Sequence, residues 1–153
     1  MRAALGRSGI SADKRESDGA TPIGCFALRS VMFRPDRLPA PKTVLPVRAI
    51  ATDDGWCDAS DHASYNRLVK LPFAASHEEL WRTDGLYDVV VDLGYNDDPP
   101  APGRGSAIFL HVARPDYGPT QGCVAVALDD LLWLLARCGR ATRLCVRADS
   151  AVA

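Results

Sequence analysis

With 153 residues, 47% of them hydrophobic and 24% charged, the chain has the make-up of one folded domain with a sizeable core. Its formal net charge of -1 lacks the basic surplus that marks a nucleic-acid binder. No apolar run approaches the roughly 20 residues needed to span a membrane. Residues 1–153 are therefore taken as a single domain, with no nucleic-acid partner and no transmembrane segment. Taken in chain order, Met1-Arg-Ala-Ala-Leu-Gly-Arg lacks the extended apolar stretch of a secretory signal. Gly19 and Gly24 flank Thr21-Pro22, which predicts a sharp turn leading into a strand over residues 25–33. The prolines Pro35, Pro39, Pro41 and Pro46 predict a loop or irregular edge. A short strand is expected over residues 45–52, with Asp53-Asp54-Gly55 as the turn after it. Residues 56–72 show no clear period and read as a polar excursion.

Ser76 followed by Glu79 three places on has the form of a capping box, which predicts a helix start at Ser76–Trp81. The β-branched run over residues 87–93 predicts a strand, as does the apolar run from Ala107 to Leu110, with His111 at its end. A further strand over residues 124–128 leads to Asp129, expected as the N-cap of a helix. Leu131, Leu132, Leu134 and Leu135 recur on one face of that helix, Trp133 is assigned to the same packing surface, and Gly139 is expected to close the end. Residues 143–147 alternate as a final half-buried strand, with Cys145 on the apolar face. Cys138 and Cys145 are expected to be structural, and the last few residues to fray. The fold class is mainly β with a minor α component.

Chemistry concentrates between His111 and Cys123. The turn-rich segment Arg114-Pro-Asp-Tyr-Gly-Pro119 returns the chain toward His111, and Gly122 permits a tight path beside the sulfur. A thiol becomes a nucleophile when a base removes its proton or its pKa falls, and a nearby histidine can do both. Cys123 and His111 are thus a candidate acyl-transfer pair, with Cys123 expected to be an accessible thiol of low pKa. The backbone amides near Gly122 and Cys123 are candidate oxyanion donors. Arg114, Tyr117, Thr120 and Gln121 are candidate substrate contacts. Inert burial is the alternative for any single cysteine, and this chain has five.

The segment His111…Thr120-Gln121-Gly122-Cys123-Val124 resembles the active-site signature of the L,D-transpeptidase (YkuD-like) family, a histidine followed by a loop and then Ser/Thr-His-Gly-Cys. Lys14-Arg15-Glu16-Ser17-Asp18-Gly19-Ala20-Thr21-Pro22-Ile23-Gly24-Cys25-Phe26 resembles the family's charged approach and its Thr-Pro-x-Gly-x-Phe element. Tyr95-Asn96-Asp97-Asp98 and Gly103-Arg104-Gly105-Ser106 resemble its approach to the histidine strand. Two departures stand out: Gln121 where the signature carries a second histidine, and Ala125 where an arginine is common. They leave nucleophile and base in place and bear on how substrate is held.

The resemblance implies a β-sandwich or barrel with one main helix after the cysteine strand. It also implies a cysteine-dependent acyl transfer between peptidoglycan stem peptides, donor and acceptor, through a thioester, with release of D-alanine. Neither a metal nor an organic cofactor is needed for any step, and a monomer is expected. The same nucleophile and base would serve a carboxypeptidase that uses water, and a cell-wall-binding module that keeps the fold without turnover is a third possibility. The family implies a periplasmic or envelope location, so Met1 is a candidate mis-assigned start. Cys57, Asp58, Asp61 and His62 match no established zinc spacing; His77 is expected to be exposed and Asp97-Asp98 to be a surface turn.

Overall fold

A computed structural model of the chain describes residues 1–148. The elements are β1 (Ala3–Ala4), β2 (Ile10–Ser11), β3 (Thr21–Pro22), β4 (Gly24–Phe33), β5 (Val47–Ala49), β6 (Asp54–Cys57) and β7 (Leu68–Lys70). They continue with β8 (His77–Glu79), β9 (Val89–Leu93), β10 (Phe109–Val112), β11 (Val124–Val126), α1 (Leu128–Leu135) and β12 (Arg143–Val146). A seven-stranded sheet runs in the order β1-β11-β10-β9-β4-β12, with β5 joined to β4. A three-stranded sheet, β7-β6-β8, and the pair β2-β3 complete the set.

Val89, Val90 and Val91 are all fully buried, so this strand needs cover on both faces. The two faces receive different cover. Strand alternation sends Val89, Val91, Leu110, Val124 and Val126 to one side, where they pack with Leu131 and Leu135 of α1. It sends Val90, Phe109 and Cys123 to the other, where they meet Trp56, Leu80 and Tyr87. β10 lies antiparallel to β9 and parallel to β11, with Leu110 opposite Val124 and His111 opposite Ala125. The mainly β fold with one helix after the cysteine strand is the one the sequence predicts.

Several local expectations are corrected. Ser76–Trp81 begins no helix: His77, Glu78 and Glu79 pair with Cys57, Trp56 and Gly55. Pairing across the small sheet outweighs the local capping signal. Asp54 and Gly55 belong to β6, not to the turn, and residues 56–72 are no polar excursion, because Trp56 and Cys57 are buried and residues 68–70 form β7. Thr21-Pro22 is a short strand beside β2. The N-cap of α1 is Ala127, without a side-chain cap; Asp129 and Asp130 lie in the first turn, where carboxylates favour the helix dipole. α1 ends at Leu135 and Ala136 is its C-cap, so Gly139 does not close it.

Trp133 is 53% exposed and carries the Arg137 guanidinium 4.3 Å from its ring centroid, so it is no part of the packing surface. Cys145 sits on the exposed side of β12 directly opposite Cys25 and is disulfide-bonded to it, while Leu144 and Val146 turn inward. The expectation of fraying falls mostly on residues 149–153, outside the described residues.

The packing sorts the residues of α1. Leu131→Ala is expected to cost about 2–5 kcal/mol of stability, because it opens a cavity between helix and sheet. Trp133→Ala is expected to stay within about 0.5 kcal/mol of the parent. Urea denaturation of the two variants checks both.

Candidate active site

His111 and Phe109 point to the same side of β10, and the register places Cys123, the residue before β11, on that side too. Gly122 enters this corner at a φ of +133°, and a Cβ there would stand 2.8 Å from the Ala20 carbonyl oxygen. Only glycine fits without a shift of backbone. Thr120 then locks the turn: its Oγ1 accepts from the Gly122 amide at 3.1 Å and donates to the Cys123 carbonyl at 2.7 Å. Thr21 Oγ1 also reaches that carbonyl, at 3.4 Å, and accepts from the Gly6 amide at 2.8 Å. The Gly122 amide, expected to be free for an oxyanion, already has a partner.

Cys123 as a residue is 8% exposed. Sγ accepts from the Phe109 amide at 3.4 Å and donates to the Ala107 carbonyl at 3.2 Å. Ala107, at a φ of +50°, is held by its amide on Asn66 Oδ1 at 3.0 Å. Asn66 also accepts from Trp56 Nε1 at 2.9 Å and donates to the carbonyls of Tyr95 and Asn96. Burial, followed by the nearby Glu78 carboxylate, pushes the Cys123 thiol up to about 12. The expected accessible thiol of low pKa is thereby corrected: in the resting protein the sulfur is buried and protonated.

His111 is 5% exposed. Its Nδ1 lies 2.9 Å from the Val112 carbonyl, and a carbonyl can only accept, so Nδ1 carries the proton and Nε2 is left as the basic nitrogen. Burial, followed by the Arg82 charge among the lowering causes, holds the imidazole below the usual histidine range. Among the described residues, no hydrogen bond joins His111 directly to Cys123.

Both side chains line one cavity of about 430 Å³. Arg114, Thr120 and Gln121 line it with them; Tyr117 does not, its ring lying beneath the Arg2 guanidinium, 4.5 Å from the centroid. Lys14, Glu16, Asp58, Glu78, Arg82, Tyr87 and Ser106 also face this space, and none was singled out for it from sequence. Glu16 accepts from Ser106 Oγ at 2.8 Å and from the Tyr65 hydroxyl. Lys14 is almost fully buried and donates to Asp18 and to the Arg15 carbonyl. Asp58 Oδ1 is buried with no hydrogen-bond partner among the described residues. Lys14 and Glu16 belong to the charged segment already noted, which was the available signal. Glu78 was hidden by the capping-box reading of its segment.

Among the described residues, no group of three or more His, Cys, Asp or Glu side chains is arranged to hold a metal ion, and no helix is long and apolar enough to cross a membrane. His62 accepts from the Ser64 amide and packs edge-on to Phe73, and His77, expected to be exposed, is half-buried against the same ring. The sequence model of the YkuD L,D-transpeptidase catalytic domain matches residues 1–146. Members of that family are generally transpeptidase or peptidase enzymes acting on peptidoglycan peptides. No curated protein and no solved structure matches the chain.

The buried thiol makes a direct prediction. Iodoacetamide labelling of Cys123, followed by peptide mapping, should quicken about tenfold per pH unit from pH 7 to 9, because the thiolate fraction of a group titrating far above this range rises by that factor. A labelling rate that levels off near neutrality would contradict it.

Proposed function

The chain belongs to the L,D-transpeptidase catalytic-domain family, and from that premise we propose a cysteine-dependent acyl transfer on peptidoglycan stem tetrapeptides. One observation carries the proposal: His111 and Cys123 emerge on the same side of adjacent parallel strands and line one cavity. The cavity suits a peptide bearing both charges. Arg7, Lys14, Arg82 and Arg114 border it together with Glu16, Asp58 and Glu78, so carboxylate and ammonium ends both find partners.

Cys123 Sγ attacks the carbonyl carbon of the bond between an L-configured centre and the terminal D-alanine. Because thiol and imidazole both rest neutral, the proton passes to His111 Nε2 as the S–C bond forms, not beforehand. The Val112 carbonyl stabilises the imidazolium through Nδ1–H. We assign the oxyanion to the Cys123 amide, with the Gly122 amide available when Thr120 turns away. The C–N bond then breaks, His111 returns its proton to the departing amine, and a thioester remains. An acceptor amine attacks that carbonyl, His111 takes its proton, and the C–S bond breaks to give the new amide and the regenerated thiol. Water in place of the amine would give a carboxypeptidase.

The Cys25–Cys145 disulfide supports a periplasmic or envelope location, since such bonds persist mainly in oxidising compartments. Arg114 and Gln121, exposed at the mouth of the cavity, are assigned to substrate contact.

Cys123→Ala and His111→Ala should each remove nearly all D-alanine release, and the double variant should be little worse than either, because the two act as one unit. The acid limb of kcat/KM should lie below pH 6.5, where the depressed imidazole finally takes up a proton and can no longer serve as base. Steady-state assays of D-alanine release read both. A binding module would bind muropeptide in all forms and release nothing.

A further inference from the structure

Glu78 is a carboxylate of the cavity that is hydrogen-bonded to a side chain packed against His111. It is the middle residue of β8, its side chain is 28% exposed, and it accepts a hydrogen bond from the Tyr87 hydroxyl. Tyr87 is buried just before β9, and its ring stands edge-on to the His111 imidazole, with centroids 5.3 Å apart and planes at 72°. The same ring meets Phe109 at 6.0 Å, the residue whose amide donates to Cys123 Sγ. Arg82 closes the group from outside, 3.9 Å from Glu78 Oε1 and 5.1 Å from the Tyr87 ring centroid. A chain of contacts thus runs from the small sheet, through the phenol, to the base on the main sheet.

We propose, on the footing of the Cys–His reading above, that Glu78 and Tyr87 form a positioning pair for that centre: the carboxylate anchors the phenol, and the phenol ring fixes the plane of the imidazole. Packing alone would not require this pair. A phenylalanine beside an apolar residue would fill the same space without withdrawing a carboxylate from water. Edge-on contact at 5.3 Å restrains rotation of the imidazole about its own axis, and with the Nδ1 bond to Val112 it favours one direction for Nε2.

The carboxylate also sets the local charge. Burial raises the Glu78 carboxyl, Tyr87 and Arg82 draw it down, and Asp58 and Asp84 push it up. At the sulfur, burial and then the Glu78 charge raise the thiol, while the Phe109 amide, Lys14 and Arg82 lower it. At the imidazole, burial and Arg82 lower, while the backbone at Val112 and Leu86 and the Asp84 charge raise. Burial, with the Glu78 charge second to it, thus favours the protonated thiol at rest.

The test uses the full chain and the variants Glu78→Gln, Glu78→Ala and Tyr87→Phe, with Cys123→Ala in parallel. Glutamine keeps an oxygen that accepts from Tyr87 but carries no charge. Glu78→Gln should label at Cys123 with iodoacetamide measurably faster than the parent at pH 8, because the charge that raises the thiol is gone. Tyr87→Phe and Glu78→Ala should each lower kcat for D-alanine release about tenfold with KM changed less than about twofold. Glu78→Gln should restore kcat to within about threefold of the parent. Labelling of Glu78→Gln at the parental rate, or parental kcat in both Tyr87→Phe and Glu78→Ala, overturns the proposal. Persistent D-alanine release by Cys123→Ala would overturn the Cys–His reading instead, and the labelling comparison, which needs no substrate, still judges the pair.

Discussion

Everything chemical in this molecule depends on the register between two short parallel strands. β10 and β11 pair with His111 opposite Ala125, and side chains alternate with a period of two. A slip of one residue would turn His111 or Cys123 toward α1 and bury it among leucines and valines. The register is secured from both sides. Val124, Val126 and Leu110 are committed to the helix face, Phe109 and Cys123 to the face of Trp56 and Tyr87, and β1 closes the outer edge of β11. Such double commitment explains how two short, largely apolar strands hold His111 and Cys123 toward one cavity.

The site is built so that its reactive groups rest neutral. A sulfur bonded to backbone at Phe109 and Ala107, and an imidazole bonded to backbone at Val112, sit where water is scarce and where an isolated ion would be costly. Charge is placed around them instead, on Lys14, Arg82, Glu16, Asp58 and Glu78, most of which are themselves paired. Tight backbone geometry at Gly122 and the Thr120 and Thr21 hydroxyls hold the cysteine at the corner of the cavity. The Asn66 amide, anchored by Trp56, sets the opposite wall through Ala107. The scaffold thus fixes the position of the thiol, and in the proposed mechanism its ionisation waits for the reaction.

Much of this was legible in the sequence, and the misses have physical causes. The β-branched run at β9, the strand before His111 and the leucine repeat of α1 could be read because burial on each face imposes its own period. The Gly122-Cys123 corner could be read because few residues tolerate that backbone path. The small sheet could not: His77-Glu78-Glu79 looks like a helix start until Gly55, Trp56 and Cys57 offer partners far along the chain. The loss of Glu78 and Tyr87 from the sequence-level site follows directly, since their meeting depends on that pairing. The state of the thiol was missed for a related reason. Sequence places a histidine near a cysteine, whereas burial depends on Trp56, Leu80 and Tyr87 arriving from elsewhere. The Cys25–Cys145 bond likewise depends on the β4–β12 register, which spacing alone does not reveal.

The central claim is that Cys123 carries the acyl group during turnover. Intact-mass spectrometry of protein quenched in acid during reaction with a stem tetrapeptide tests it most directly. The expected result is a population heavier by the donor's acyl portion without its D-alanine, mapped to the Cys123 peptide and discharged by hydroxylamine. D-alanine release with no such adduct on Cys123, or with the adduct on another residue, would contradict it.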